Sequence, residues 1–409
     1  MEKQKAKIGV IGTGPRGCGL IQTMMRVEEI EIKAVCDRDS GAFEVIFGAF
    51  DSAGLKRPEA YTDYNELLGR QDIEGVVIAT HWITHIPLAI AAMKAGKYAG
   101  VEVGPAASIE ECWQLVRTYE ETGVPCMLLE NCCYGKYEMM VLNMIKKGLF
   151  GEVVHCECGY GHDLREHLLE GYPPPSNRLY NNMHRNGDLY PTHGVGPIAK
   201  MLNINRGNRF VSLVSMASKA VGLRDWIKKN REPGHGFANY DFTSGDVVQT
   251  LIKCAHGETV LVTRNISLPR PYSRFNVVQG TNAIYMEDKK GIYIDGSIKG
   301  EVWEPIDDYY EEYGHPLWKE FESRGVKGGH GGMDHLVLEA FADSIINKTN
   351  TPIDVYDMAA WMAISVLSEQ SVNMGSSPVA FPDFTNGRWI NREDKIDSRY
   401  SLDEIICKE

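Results

Sequence analysis

The chain has 409 residues, of which 43% are hydrophobic and 24% are charged, and its formal net charge is -12. This length predicts two domains, and the negative charge disfavours nucleic acid or an anionic membrane surface as a partner. No apolar run approaches the roughly 18 residues of a membrane-spanning helix. A first strand from about Lys7 leaves no room for a signal peptide. We therefore expect a cytoplasmic protein, with no membrane partner and with its ten cysteines reduced.

Strands and helices alternate along the first third of the chain. Short apolar runs predict strands at 7–11, 31–36, 76–79, 98–103 and 125–129. Helical patterns follow at 16–27, 87–95 and 108–122, the last opened by a capping-box sequence. This alternation predicts an α/β Rossmann domain with a doubly wound parallel sheet, which we place at residues 1–130.

The pattern changes after about residue 130. A helix is predicted at 136–147, and late helices at 333–347 and 354–371. Strand-like runs between them lie at 152–160, 210–217, 246–253, 258–267 and 273–279. They predict an α+β domain at 131–409 with a large open, mostly antiparallel sheet. Such a sheet suits a substrate platform or a subunit interface, and we expect a homo-oligomer.

A nucleotide site is predicted where the first strand meets the first helix. Gly12-Thr13-Gly14-Pro15-Arg16-Gly17 fits G-x-G-x-x-G in the strand-to-helix context that this motif requires. Asp37 follows Gly17 by 20 residues, at the end of the second strand, where a carboxylate binds ribose hydroxyls. Asp37 would repel a 2′-phosphate, which favours NAD over NADP. NADP stays open as the alternative, since Arg38 could accept that phosphate.

Several segments resemble known families. The glycine motif, Trp82-Ile83-Thr84-His85 and Val101-Glu102-Val103 resemble the Gfo/Idh/MocA oxidoreductase superfamily. The second half resembles glycoside hydrolase family 109, the NAD-dependent α-N-acetylgalactosaminidases. The segments that carry this resemblance are Glu130-Asn131-Cys132-Cys133-Tyr134, Gly159-Tyr160-Gly161-His162-Asp163-Leu164-Arg165, Arg185-Asn186-Gly187-Asp188-Leu189-Tyr190-Pro191-Thr192-His193-Gly194, Arg270-Pro271-Tyr272-Ser273 and Gly328-Gly329-His330-Gly331-Gly332-Met333-Asp334.

One departure separates the two families. Dehydrogenases of the superfamily carry Glu-Lys-Pro after the strand near residue 100, with the lysine as acid and base. This chain reads Glu102-Val103-Gly104-Pro105 at that point and has no lysine there. The glycosidase family also reads Glu-Val, so the departure favours the glycosidase.

The resemblance implies two sets of binding residues. Those for the cofactor are Gly12, Gly14, Arg16, Gly17, Asp37, Trp82, His85, Glu102, Val103 and Asn131. Those for the sugar are Tyr160, Arg178, Tyr190, Pro191, Thr192, His193 and Tyr272. Arg178 falls in a segment, 171–184, that reads as a short proline-rich loop with Pro173-Pro174-Pro175.

The family's route oxidises the sugar at C3, eliminates the C1 substituent across C1–C2, adds water and reduces the ketone again. It needs proton carriers at the C3 hydroxyl and at C2 instead of a pair of carboxylates. The catalytic candidates are His193, Tyr160 and Tyr190. His193 is the first choice at C3 because imidazole titrates near neutrality, and Tyr160 is the first choice at C2. The reverse assignment stays open, and Tyr190 and Tyr272 would position the ring.

Other functions remain as alternatives. A sugar or inositol dehydrogenase is disfavoured by the missing lysine, and a non-catalytic NAD-binding regulator by the retained proton carriers. His162 and Asp163 could orient a neighbour of the sugar. Cys156 and Cys158 share one face of a strand, but no second ligand pair has zinc spacing, so no metal is expected.

Overall fold

The computed structural model describes residues 4–170, 176–297, 300–392 and 396–405. The run Pro173-Pro174-Pro175 therefore lies outside the described residues. Two separate sheets, of six and nine strands, organise these residues. No helix in the described ranges is long and apolar enough to cross a membrane.

The first sheet is entirely parallel and has the strand order β3-β2-β1-β4-β5-β6. Its central strands are apolar and almost fully buried, as expected for strands covered on both faces. The predicted doubly wound parallel sheet is thus confirmed. Its strands are β1 (Ala6–Ile11), β2 (Ile30–Cys36), β3 (Glu59–Tyr61), β4 (Gly75–Ile78), β5 (Tyr98–Val101) and β6 (Cys126–Leu128).

Five helices connect these strands. They are α1 (Pro15–Met24), α2 (Phe43–Ser52), α3 (Tyr64–Leu68), α4 (Trp82–Lys94) and α5 (Ile109–Thr122). The sequence predicts the fourth of these helices only from Pro87, because proline is typical of a first helical turn. In the structure Pro87 lies inside α4, which begins five residues earlier. Trp82 consequently stands at the helix N-terminus, at the carboxyl end of β4.

The second sheet is mostly antiparallel, in the order β14-β13-β12-β11-β7-β10-β9-β8-β15. Only β7 and β10 pair in parallel. The predicted open, mostly antiparallel sheet is confirmed, although the strand expected from residue 273 begins at 277. Its strands are β7 (Val153–Gly161), β8 (Phe210–Ala217), β9 (Val247–Cys254), β10 (Thr259–Asn265), β11 (Val277–Gly280), β12 (Ala283–Met286), β13 (Gly291–Ile294), β14 (Glu304–Pro305) and β15 (Val379–Ala380).

In the described part of the chain, eight helices accompany the second sheet. They are α6 (Lys136–Lys146), α7 (Asn177–His184), α8 (Thr192–Met201), α9 (Gly222–Asn230), α10 (Tyr310–Tyr313), α11 (Pro316–Ser323), α12 (Met333–Asn347) and α13 (Val355–Asn373). The reading of 171–184 as a loop is wrong for its second half. Ser176 accepts a hydrogen bond from the Leu179 N–H and so caps α7.

The last two long helices return to the first sheet. Ile345 of α12 packs on Gly75, because a Cβ added to that glycine would lie 2.6 Å from the Ile345 Cδ1. A Cβ added to Gly100 would likewise lie 3.0 Å from the Phe341 ring. A side chain at either glycine would force the helix away from the sheet. Helix α12 thereby packs directly on β4 and β5 of the Rossmann sheet.

Candidate active site

The glycine motif forms a tight turn between β1 and α1. Gly12 has φ +95°, and a Cβ on it would lie 2.6 Å from the Ala79 carbonyl oxygen. A Cβ on Gly17 would lie 2.1 Å from the Gly12 carbonyl oxygen. Neither position admits a larger residue, so the turn holds the first turn of α1 close against the strand.

This turn has the features that a dinucleotide requires. Nothing lies within 4 Å of the point where Gly14 would carry a Cβ, which leaves the backbone open to a pyrophosphate. Asp37 Oδ2 accepts hydrogen bonds from the Thr13 N–H at 2.7 Å and the Thr13 hydroxyl at 2.9 Å. These bonds hold the carboxylate at the edge of the turn, while Arg38 is exposed. The residues present fit NAD.

Arg16 links the turn to the second domain. Its guanidinium pairs with Glu102 at 2.6 Å and with Asp334 at 2.7 Å. Asp334 also accepts a hydrogen bond from the Asn131 amide at 2.7 Å. Two residues expected at the cofactor, Arg16 and Asn131, therefore converge on one buried carboxylate, which the sequence did not single out. His330 Nδ1 lies 2.8 Å from the same carboxylate, so the turn before α12 borders the cofactor motif.

Three further cofactor candidates lie around the N-terminus of α4. Trp82 is half-buried and covers Gly104, where a Cβ would lie 2.6 Å from the indole Cδ1. His85 is buried, and its Nε2 lies 3.0 Å from the Thr80 carbonyl oxygen. Burial lowers the pKa of His85, so the ring is neutral. Val103 is buried and donates its N–H to Glu102 Oε2 at 3.0 Å, which fixes that carboxylate for Arg16.

The sugar-side candidates form one aromatic cluster on the second domain. The Tyr160 ring centroid lies 4.8 Å from that of Tyr190, 5.6 Å from that of His193 and 6.1 Å from that of Tyr272. Tyr160 and Tyr190 are buried, whereas Tyr272 is half exposed at the rim. His162 Nδ1 lies 3.0 Å from the Tyr160 hydroxyl. An orienting role was expected for His162 and Asp163, and Asp163 pairs with Arg165 instead.

Arg178 joins this cluster to the first domain. Its guanidinium carbon lies 4.5 Å from the Tyr190 ring centroid and 5.9 Å from that of Tyr160. The Trp82 ring lies 5.6 Å from the same carbon and 5.7 Å from the Tyr190 ring. Helix α7 therefore brings the charge of Arg178 onto the aromatic faces, a favourable cation–π arrangement.

The 190–193 segment is held from both sides. Asp188 Oδ1 accepts a hydrogen bond from the Tyr190 N–H, at 3.2 Å. A Cβ on Gly194 would lie 2.3 Å from the Gly159 nitrogen, so α8 packs directly on β7. Pro191 and Thr192 are buried at the start of α8. Their position carries His193 into the same cluster as Tyr160, which lies on β7.

His193 is paired with a carboxylate that the sequence left without a partner. Its Nδ1 lies 2.7 Å from Oε1 of Glu130, whose side chain is fully buried. Burial alone would lower the pKa of His193, but the neighbouring Cys132 and Glu130 outweigh it and raise the pKa. Burial raises the pKa of Glu130, and the charge of His193 reverses that shift. Because Nδ1 faces Glu130, the Nε2 side of the ring is left for a substrate proton.

Tyr190 and Tyr272 are held in their protonated forms. Burial raises the pKa of Tyr190 to about 12 and also raises that of Tyr272. Both hydroxyls therefore keep their protons at neutral pH and serve as hydrogen-bond donors. Burial and the charge of Arg178 lower the pKa of His162, so this ring is neutral and can accept a hydrogen bond from the Tyr160 hydroxyl.

Two family models match the chain. The model described as "Oxidoreductase family, NAD-binding Rossmann fold" matches residues 6–129. The model described as "Glycosyl hydrolase 109, C-terminal domain" matches residues 134–391. Together they cover both sheets.

Curated relatives extend over nearly the whole chain. An alpha-N-acetylgalactosaminidase of Tannerella forsythia is 42% identical over 410 residues, covering 95% of this chain and 88% of the relative. A glycosyl hydrolase family 109 protein of Parabacteroides distasonis is 41% identical over 413 residues, covering 95% and 89%.

Among solved structures, a levoglucosan dehydrogenase in complex with NADH and L-sorbose superposes with a TM-score of 0.71. It is 17% identical, and the match covers 93% of this chain and 100% of the dehydrogenase. At that identity the likeness concerns the fold alone.

Proposed function

Because the chain belongs to glycosyl hydrolase family 109, we propose that it releases terminal N-acetylgalactosamine from glycosides. The family resemblance expected from the motifs is confirmed, and the chain is an NAD-dependent glycosidase. The identity of the sugar rests on the name of the Tannerella forsythia relative.

One observation carries the proposal. Tyr160, Tyr190 and His193 form a single cluster whose rings meet Trp82 of the cofactor domain, through the 5.7 Å contact between Trp82 and Tyr190. A sugar held by this cluster lies beside the cofactor motif. Proton carriers and cofactor can therefore act on the same ring carbons.

The cofactor would be held by residues of the turn and its neighbours. Asp37 would take the ribose hydroxyls, the open backbone at Gly14 the pyrophosphate, and Asn131 and Val103 the nicotinamide side. Bound NAD supplies reversible oxidation of a sugar hydroxyl. The network of Arg16, Glu102 and Asp334 keeps the two domains in register around it.

Each proton carrier has a partner that suits its role. The neutral form of His193 accepts the C3 hydroxyl proton at Nε2, and Glu130 stabilises the resulting imidazolium through Nδ1 at 2.7 Å. Tyr160, in its deprotonated form beside the Arg178 guanidinium, takes the proton from C2 once C3 is a ketone. His162 Nδ1, 3.0 Å from the Tyr160 oxygen, then accepts a hydrogen bond from the restored hydroxyl. Loss of the C2 proton then expels the C1 substituent, and Tyr190 and Tyr272 donate hydrogen bonds that hold the ring.

The two familiar alternatives fit less well. A dehydrogenase of this superfamily needs the lysine whose position is taken by Val103, a buried apolar residue. An ordinary glycosidase needs two carboxyl groups facing the glycosidic bond. Glu102 and Glu130 are both buried and already engaged, by Arg16 and His193 respectively.

The domain boundary and the oligomeric state are also part of this proposal. We place the domain boundary near residue 130, where the β6 strand ends. Val154, Met216 and Leu251 are exposed apolar residues on the second sheet. They support a homo-oligomer joined through this sheet, which sedimentation of the purified protein tests.

The direct test uses the purified protein without added NAD and a panel of aryl glycosides. N-acetylgalactosaminides should release the aglycone, and repeated turnover should not consume the copurified cofactor. Galactosides and glucosides without the acetamido group serve as controls. Net reduction of added NAD with no aglycone release would identify a dehydrogenase instead.

A further inference from the structure

Three side chains that could bind a metal ion lie together where His193 meets Glu130. Glu130, Cys132 and His193 each offer a ligand atom, and these atoms all lie within 4.8 Å of one another. The described residues contain no other group of three or more such side chains at metal-binding separation. Spacing along the sequence does not predict this set, because His193 follows Cys132 by 61 residues.

Local backbone geometry brings the first two ligands together. Glu130 precedes a short 3-10 turn, Asn131–Tyr134, and its Oε1 accepts a hydrogen bond from the Cys132 N–H at 3.1 Å. The carboxylate and the thiol therefore lie on the same side of the turn. His193 enters from the first turn of α8 and meets the same carboxylate oxygen at 2.7 Å.

One carboxylate oxygen in the cluster has no partner. Glu130 Oε2 is buried and makes no hydrogen bond of ordinary geometry in the described residues, and the neighbouring Thr192 hydroxyl, which interacts with this carboxylate, is likewise without a partner of ordinary geometry. Such an atom is costly in the interior unless a cation or a donor satisfies it. The carboxylate thus has bonding capacity beyond what His193 and the Cys132 N–H use.

We propose that Glu130, Cys132 and His193 form a zinc site, and that Zn²⁺ bound there inhibits the glycosidase reversibly. Thiolate, imidazole and carboxylate are the three ligand types that zinc prefers, and three protein ligands leave a fourth position for water. A thiolate and a carboxylate bring two negative charges, which a divalent ion neutralises in this buried place.

Binding changes no oxidation state. Zinc bonds to the sulfur as the thiol proton leaves to solvent, and to Nδ1 as that nitrogen releases the proton it shares with Glu130. His193 is then fixed as a ligand and loses the carboxylate that stabilises its charged form. The inhibition therefore rests on the proposed function of His193, whereas zinc binding itself does not.

The adjacent Cys133 provides a matched control. It is buried like Cys132, but its sulfur points at Gly196, where a Cβ would lie 2.9 Å away. It is not among the three ligands. Cys132→Ser and Cys133→Ser remove the same atom from neighbouring positions, so they separate the ligand set from general loss of a buried thiol.

The experiment titrates the chelator-treated holoenzyme with Zn²⁺, and with Mg²⁺ as a hard-cation control. Bound zinc is measured by calorimetry, and aglycone release is normalised to the zinc-free rate of each variant. One zinc per chain should bind and abolish turnover. Cys132→Ser should weaken zinc binding at least about tenfold, the effect expected on losing a ligand, while Cys133→Ser should behave as the wild type.

A coordination readout completes the test without relying on activity. Co²⁺ in the same site should give the intense visible bands of a four-coordinate thiolate complex, and Cys132→Ser should lose them. Absence of zinc binding, or equal weakening in both serine variants, would overturn the site. Zinc that binds through Cys132 without slowing turnover would support the site and contradict the catalytic role of His193.

Discussion

The glycine turn and the aromatic cluster differ in how their residues are distributed along the chain. The turn is six consecutive residues, Gly12 to Gly17, whose geometry is fixed by contacts within the first domain. The cluster draws Tyr160, Arg178, the 190–193 segment and Tyr272 from β7, α7, the start of α8 and a loop before β11. A contiguous motif carries its own structure, whereas a dispersed one depends on the whole domain.

The two regions also differ in how they tolerate change. Substitutions in the turn should weaken cofactor binding and leave the aromatic cluster intact. A substitution in the cluster should affect the chemistry and leave the cofactor bound. The domains that carry them meet at the Trp82–Tyr190 contact and at the pairing of Arg16 with Asp334.

The largest effect is expected from His193→Ala, which removes the proton carrier at C3. General acid–base groups contribute roughly 10²–10⁴-fold in rate, so kcat should fall by that factor. Bound NAD, measured after denaturation, should stay at the wild-type level. The control is His184→Ala, an exposed histidine at the end of α7, which should keep full activity; equal losses in both would detach the chemistry from the cluster.

Asp37→Ala should affect the glycine turn and the binding of NAD beside it. Losing the charged hydrogen bonds to ribose, at about 1.5–3 kcal/mol for a bond to a charged group, should weaken NAD binding roughly ten- to a hundredfold. Excess NAD should restore turnover, because the aromatic cluster is untouched. Asp39→Ala is the matched control, since that exposed carboxylate only caps the Gly41 N–H. Tighter binding of NAD by Asp37→Ala would refute the ribose assignment.

Glu130→Gln should lower kcat by roughly tenfold or more, because the amide keeps the shape but loses the charge that stabilises a protonated His193. KM should change little, since Glu130 is fully buried and cannot touch the sugar. Steady-state kinetics with an aryl N-acetylgalactosaminide separate the two constants. A rise in KM at constant kcat would mean that Glu130 shapes the sugar site instead.

Tyr272→Phe should give the smallest effect. The hydroxyl lies at the half-exposed rim and contributes one neutral hydrogen bond, about 0.5–1.5 kcal/mol. KM should rise a fewfold while kcat holds. A collapse of kcat would instead make Tyr272 a proton carrier and would reopen the division of roles between Tyr160 and His193.

The first region could be predicted from the sequence almost completely. Apolar runs such as Val76 to Ile78 identify buried strands, and the glycine spacing identifies the turn. The errors concern elements set by tertiary contacts. Helix α4 begins at Trp82, ahead of the proline that marks a typical start, and α7 forms in a polar segment beside a proline run.

The second region could be predicted only as a list of residues. Their family motifs named Tyr160, Arg178 and His193, and the structure brings all three together. The pairing of Glu130 with His193 was not predictable, because the two residues are 63 positions apart and no periodicity relates them. Asp334 was missed for the same reason, since it meets Arg16 across 318 positions.

The central claim is that cofactor and cluster act on one sugar through loss of the C2 proton. Hydrolysis of an aryl N-acetylgalactosaminide in D₂O, followed by NMR of the released sugar, tests it most directly. The account predicts deuterium at C2 of the product, because Tyr160 exchanges its proton with solvent through His162 before returning it. A product that keeps hydrogen at C2, formed at the full wild-type rate, would contradict elimination and with it the joint action of the two regions.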